Sequence, residues 1–109
     1  MANTFKNAYL DVTSSNTAIY TAPASTTSIV ISLRITNVDG SSADTIIADV
    51  IDGTSGNSRI AYQMNVPVGS SVELAGTSKL VLETGDKIEL TGGASSGDLE
   101  AFASILEIT

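Results

Sequence analysis

The sequence contains no cysteine, no histidine and no tryptophan. Without cysteine there is no disulfide framework, no thiolate metal site and no thiol nucleophile. Without histidine the usual general base near neutral pH and the commonest metal ligand are missing, so neither a Ser-His-Asp nor a Cys-His site can be built from this chain. Aromatic residues are few: Phe5, Phe102, Tyr9, Tyr20 and Tyr62. That argues against a carbohydrate-binding groove, which stacks sugars on Trp and Tyr. Positive charge is scarce, with 5 Lys+Arg against 12 Asp+Glu and a net charge of −7. Nucleic acid and anionic membranes both demand cations, so neither is expected as a partner. No apolar stretch approaches the ~20 residues of a membrane span. Residues Met1–Asn7 lack the basic-then-apolar order of a signal peptide, and a protein made in a cytoplasm is expected.

The chain has 109 residues, of which 42% are hydrophobic. That is enough for one domain with its own core, expected over residues 1–109. Its polarity comes largely from hydroxyls, 15 serines and 13 threonines. Short runs rich in Val, Ile, Thr and Tyr alternate with Gly, Ser, Asn and Asp clusters, the rhythm of strands and turns. Thr27–Val38 is the clearest run. Ile29, Ile31, Leu33 and Ile35 fall on one face, and Val30, Ser32, Arg34 and Thr36 on the other. In Asn57–Val66, Ile60, Tyr62, Met64 and Val66 share a face before Pro67 ends ladder pairing. Ser71–Leu74 is a short strand, and Lys79–Leu82 and Lys87–Leu90 flank a tight turn at Glu83-Thr84-Gly85-Asp86. Asp98–Ile108 is apolar on both faces, which suits a central or covered strand. Asp44–Asp52 and Asp98–Leu106 also fit a helical stripe, but β-branched residues and alternation favour strands. Ala8–Val12 and Thr17–Ala22 complete the set. The expected fold is all-β: a single-domain antiparallel β-sandwich, jelly-roll-like, of eight or nine short strands. Residues 1–12 form either a first strand or an arm that lies on a neighbour.

Several groupings of chemistry-bearing residues read as framework. Asp39, Asp44, Asp49 and Asp52 cluster as calcium ligands would, but match no EF-hand spacing and sit where turns favour Asp. Glu73, Glu83, Asp86, Glu89, Glu100 and Glu107 offer carboxylate pairs without an aromatic cleft to hold a sugar. The glycine-rich run Gly92–Gly97 lacks the lysine and helix of a phosphate cradle and reads as a flexible hairpin loop. No catalytic residue, cofactor, metal or small-molecule substrate is therefore expected.

Three stretches carry a resemblance: Pro67–Leu74, Lys79–Ile88 and Gly97–Ile108. Together with Asn3–Ala8 and Ala18–Pro23, they resemble a family of small all-β virion structural proteins of tailed bacteriophages, cyanophages among them. The resemblance implies a non-enzymatic particle component. It is expected as a head decoration (cement) protein on the outer surface, bound to the major capsid protein and forming a homo-oligomer, a trimer by analogy. The alternatives are a neck, tail or baseplate component and, from another class, a carbohydrate-binding module. Phe5, Tyr9 and Tyr20 are the expected contact anchors, since aromatic side chains are enriched at interfaces.

Overall fold

The computed structural model describes residues 2–53, 56–76, 78–93 and 98–109. These form nine strands: β1 (Asn3–Val12), β2 (Thr17–Thr21), β3 (Thr27–Asn37), β4 (Asp44–Asp52), β5 (Gly56–Val66), β6 (Ser71–Glu73), β7 (Leu80–Leu82), β8 (Lys87–Gly92) and β9 (Leu99–Ile108). All pairings between them are antiparallel. The first sheet runs β1-β9-β3, and the far edge of β3 is shared by β6 and β7; the second runs β2-β8-β4-β5. Most neighbours within a sheet come from distant parts of the chain; β4 and β5 are the consecutive pair. The two sheets enclose one core in a β-sandwich of 47 × 25 × 22 Å. Val30, Leu33, Ile35, Ile46, Leu82, Ile88, Leu90, Leu99 and Ile105 are wholly buried between them. Asp44–Asp52 and the C-terminal segment are strands, because each finds two ladder partners and buries alternate residues.

The alternation read along Thr27–Val38 is interrupted. Val30 pairs with Ile105 and Ser32 with Ser104, so Ile31 is a bulge with no opposite number. A bulge inserts one residue and reverses the facing of everything beyond it. Ser28 and Val30 therefore point inward on one side of Ile31, and Leu33, Ile35 and Asn37 on the other. Ile29 faces outward with Arg34, contrary to the single apolar face expected. β5 departs likewise. Ile46 pairs with Met64, Ala48 with Ala61 and Asp49 with Arg59, which leaves extra residues at Tyr62–Gln63 and at Ile60. Gln63 takes a left-handed φ of 47° there. Ala61 and Val66 are buried while Tyr62 and Met64 are exposed, so the face assigned to Ile60, Tyr62, Met64 and Val66 is divided.

The turn at Glu83–Asp86 is present, with Asp86 N–H donating to the Glu83 carbonyl at 2.9 Å. Gly85 holds φ +88° at the position where a type II turn requires it. Its flanking strands do not pair with each other: β7 joins β3 and β8 joins β2 and β4. The turn is thus a corner between sheets. β8 and β9 also lie in different sheets, and residues 94–97 of the glycine-rich run between them fall outside the described residues.

Candidate interaction face

The site is built from cross-strand registry on the outer face of the first sheet. Residues directly opposite one another share a face. Phe5 opposes Leu106, Leu106 opposes Ile29, and Ile29 opposes Val81. One apolar row therefore crosses β1, β9, β3 and β7 from edge to edge. Phe5 is 76% exposed and Val81 61%. A second row runs Tyr9, Phe102, Arg34, Glu73, with Tyr9 57% and Phe102 45% exposed. Between them lies the small polar row Asn7, Ser104, Ser32. The short side chains there, flanked by Phe5, Phe102 and the bulged Ile31, leave an open groove of about 280 Å³. Tyr9 donates its hydroxyl to Asp11. That hydrogen bond, then partial burial and the charges of Asp11 and Glu100, push its pKa up to about 12.

Phe5 and Tyr9 are thus brought onto one face, together with Phe102, Leu106, Ile29 and Val81, which were not singled out as contact residues. The both-faces-apolar pattern of Asp98–Ile108 was the signal for Phe102 and Leu106. Ile29 escaped because the bulge at Ile31 is invisible to periodicity. Tyr20 is placed apart from this group. It is half-buried between the sheets, where its hydroxyl donates to the Glu107 carboxylate and shares a 2.7 Å hydrogen bond with Ser28. Burial and then the bond to Glu107 push the Tyr20 pKa up to about 12. The same bond, followed by Lys6 at 3.3 Å, holds the Glu107 carboxyl below its ordinary value. Tyr20 on β2 thereby ties the second sheet to β3 and β9 of the first.

The four aspartates clustered in sequence, Asp39, Asp44, Asp49 and Asp52, do not converge. Asp39 accepts from Ser41, Asp44 from the Thr45 N–H at 2.7 Å, and Asp49 lies 3.6 Å from Arg59. Asp52 instead meets Glu83 and Asp86, their carboxylate oxygens within 4.8 Å of one another. Both Asp86 oxygens accept backbone N–H groups, from Gly53 at 3.2 Å and Glu83 at 3.0 Å. Asp86 so fastens the β7–β8 corner to the end of β4. Asn37 plays a similar part, unnoticed in the sequence. It is buried, its amide donates to the Ser42 and Val66 carbonyls at 3.0 and 2.9 Å, and its oxygen accepts from Asp39 N–H at 2.8 Å.

No protein-family model matches this chain, and no curated protein does. Solved structures that share the fold include two of note. One is a chain of the Bacillus endospore appendages, described as a family of disulfide-linked pili, with TM-score 0.56 and 14% identity over 99% of this chain and 87% of that one. The other comes from the Gx strain of infectious bursal disease virus, with TM-score 0.54 and 13% identity over 98% of this chain. This chain spans 30% of that viral chain. Both neighbours come from assembled particles or filaments, and at these identities the likeness is one of fold.

Proposed function

We propose that this chain is a non-enzymatic virion structural protein, a decoration protein that sits on the outer surface of a phage head and bridges major capsid subunits. One observation carries the reading: the outer face of the first sheet presents the apolar cross-strand row Phe5, Leu106, Ile29 and Val81 and, beside it, the exposed aromatic pair Tyr9 and Phe102. Such a surface on a small acidic domain suits burial against another subunit. The resemblance of the strand framework to small virion proteins of tailed phages supports the setting, and the shared fold with a viral chain supports a structural role. The charge of −7 favours the outside of a particle, away from packaged DNA. The fold shared with a pilus chain gives weight to a second reading, a neck, tail or baseplate part. A disulfide-linked assembly is closed to this sequence, which has no cysteine.

The test is the copy number of the protein in purified particles, relative to the major shell protein. Decoration predicts many copies, rebinding of pure protein to stripped expanded shells, and loss of rebinding in Phe5→Ser/Phe102→Ser. A few copies that stay with tails separated from heads move the assignment to the tail. Particles that lack the protein overturn both.

A further inference from the structure

Among the described residues, strand β1 is an edge of the first sheet and pairs with β9 alone. Ala2 and Thr109 exchange both backbone hydrogen bonds, at 3.2 and 2.9 Å, and the β1–β9 register then runs without a shift. Antiparallel ladders alternate. Thr4, Lys6, Ala8, Leu10 and Val12 therefore bond to β9, while Asn3, Phe5, Asn7, Tyr9 and Asp11 aim their N–H and C=O groups away from the sheet. Long exposed edges are ordinarily blunted by proline, a bulge or free charge. β1 has no proline and no register shift, and its one lysine is paired with Glu107. Its two charged residues, Lys6 and Asp11, cancel. In a chain of −7, this edge can approach a second copy without strand-to-strand repulsion.

The order of side chains along β1 is self-complementary. Setting Asn7 against Asn7 of an antiparallel second copy brings Phe5 opposite Tyr9, Asn3 opposite Asp11, Thr4 opposite Leu10 and Lys6 opposite Ala8. No like charges meet. Every residue with outward backbone groups meets another of the same kind, as hydrogen-bonded pairing requires. Phe5 and Tyr9 share the outer face, so the row ending at Phe5 in one copy continues into Tyr9 and Phe102 of the other. Aromatic pairs opposed in this way are among the favourable cross-strand contacts. We propose that a second copy of this chain adds to β1 in this register. The product is a two-fold dimer, with the axis at Asn7 and the first sheet continuous across it. This sets a two-fold association in place of the three-fold one expected by analogy. It concerns the isolated protein and stands apart from the virion reading.

Sedimentation equilibrium of the pure protein is expected to show twice the 11.1 kDa chain mass. Asn7→Pro removes an outward N–H while leaving the β1–β9 ladder intact. It is expected to weaken the dimer by about a hundredfold and leave the thermal midpoint of the diluted monomer unchanged. Cysteine variants read the register directly, since the chain has no other thiol. Asn7→Cys should cross-link with itself under mild oxidation. Asn3→Cys should not, because its copies lie about 26 Å apart along the paired strands, whereas an equal mixture of Asn3→Cys and Asp11→Cys should. If Asn7→Pro fails to fold, the cysteine set decides alone. A trimer, or a dimer in which Asn7→Cys cross-links no faster than Asn3→Cys, overturns the proposal. So does a monomer up to about 1 mM, the result expected if this edge is reserved for a strand of a shell subunit.

Discussion

The outer faces of the two sheets are built on opposite principles. On the second sheet, Ala18, Glu89, Asp49 and Arg59 form a cross-strand row. Its carboxylates are held locally: Glu89 accepts from the Asn16 amide at 2.6 Å and lies 3.1 Å from Lys87, and Asp49 is beside Arg59. The Asn16 bond and then Lys87 keep the Glu89 carboxyl below its ordinary value. The Arg59 guanidinium in turn lies 4.4 Å from the centre of the Tyr62 ring. That face is largely charged, with Tyr62 and Met64 of β5 its exposed large hydrophobic side chains. The first sheet turns Phe5, Tyr9, Phe102, Ile29 and Val81 outward instead. Charged side chains keep their free energy in water, whereas exposed apolar side chains gain free energy only when another surface excludes water from them. The contrast is why the proposed docking is placed on the first sheet.

The sharpest test of the first sheet's outer face is within β9, whose two sides face the core and the solvent. Ile105 is buried against the core and Phe102 faces out. Ile105→Ala is expected to cost about 2–5 kcal/mol in urea unfolding, from lost transfer and the cavity left behind. Phe102→Ala is expected to cost about 1 kcal/mol or less while abolishing rebinding to stripped shells. Equal costs would mean that Phe102 serves the fold and is not held free for a partner. Asn37→Ala strands two carbonyls and the Asp39 N–H and is expected to cost about 1–3 kcal/mol, again by urea unfolding.

Tyr20→Phe probes the tie between the sheets, with an expected loss of about 1–2 kcal/mol and a distinctive pH signature. The hydroxyl titrates at 10.0 when unperturbed and at about 12 when folded. Folding therefore favours the neutral phenol, and the stability it contributes is complete below pH 10.0 and lost as the pH rises toward about 12. Urea midpoints measured across that window should fall more steeply for the parent than for Tyr20→Phe, with Tyr9→Phe as the control for the other raised tyrosine. At the acid end the sign reverses. The depressed Glu107 carboxyl contributes stability above its unfolded pKa that is lost as pH falls through the folded one. Tyr20→Phe should flatten that limb, since its hydroxyl is the main cause of the depression. The smallest effect is expected from Arg59→Ala. The pair joins an exposed Arg59 to a largely buried Asp49, and an ion pair with one partner in solvent is worth about 1 kcal/mol or less, so thermal unfolding should move little and shell binding not at all. A large binding defect there would shift the docking face to the second sheet.

Much of the strand content was legible because period-two alternation and turn residues are local. Asp98–Ile108, apolar on both sides, announced a strand with neighbours on each flank, and β9 lies between β1 and β3. The facing of β3 and β5 was not legible. Their bulges at Ile31, Ile60 and Tyr62–Gln63 are defined only against a partner strand, and no residue at these positions advertises them in sequence. Phe5 and Tyr9 stood out as aromatics near a terminus, but sequence could not separate them from Tyr20. The separation depends on which strand pairs with which: β1 lies against β9 at an edge, whereas β2 carries Tyr20 inward to Glu107, 87 residues away.

The sequence by itself determined that this is an acidic, hydroxyl-rich β protein without thiol or imidazole chemistry, because composition and short-range periodicity set those properties residue by residue. The tertiary structure alone decided that Phe5, Leu106, Ile29 and Val81 form one row, that the turn at Gly85 joins different sheets, and that Asp52 meets Asp86. Those outcomes follow from long-range registry, where one unpaired residue turns the side chains beyond it to the opposite face of the sheet.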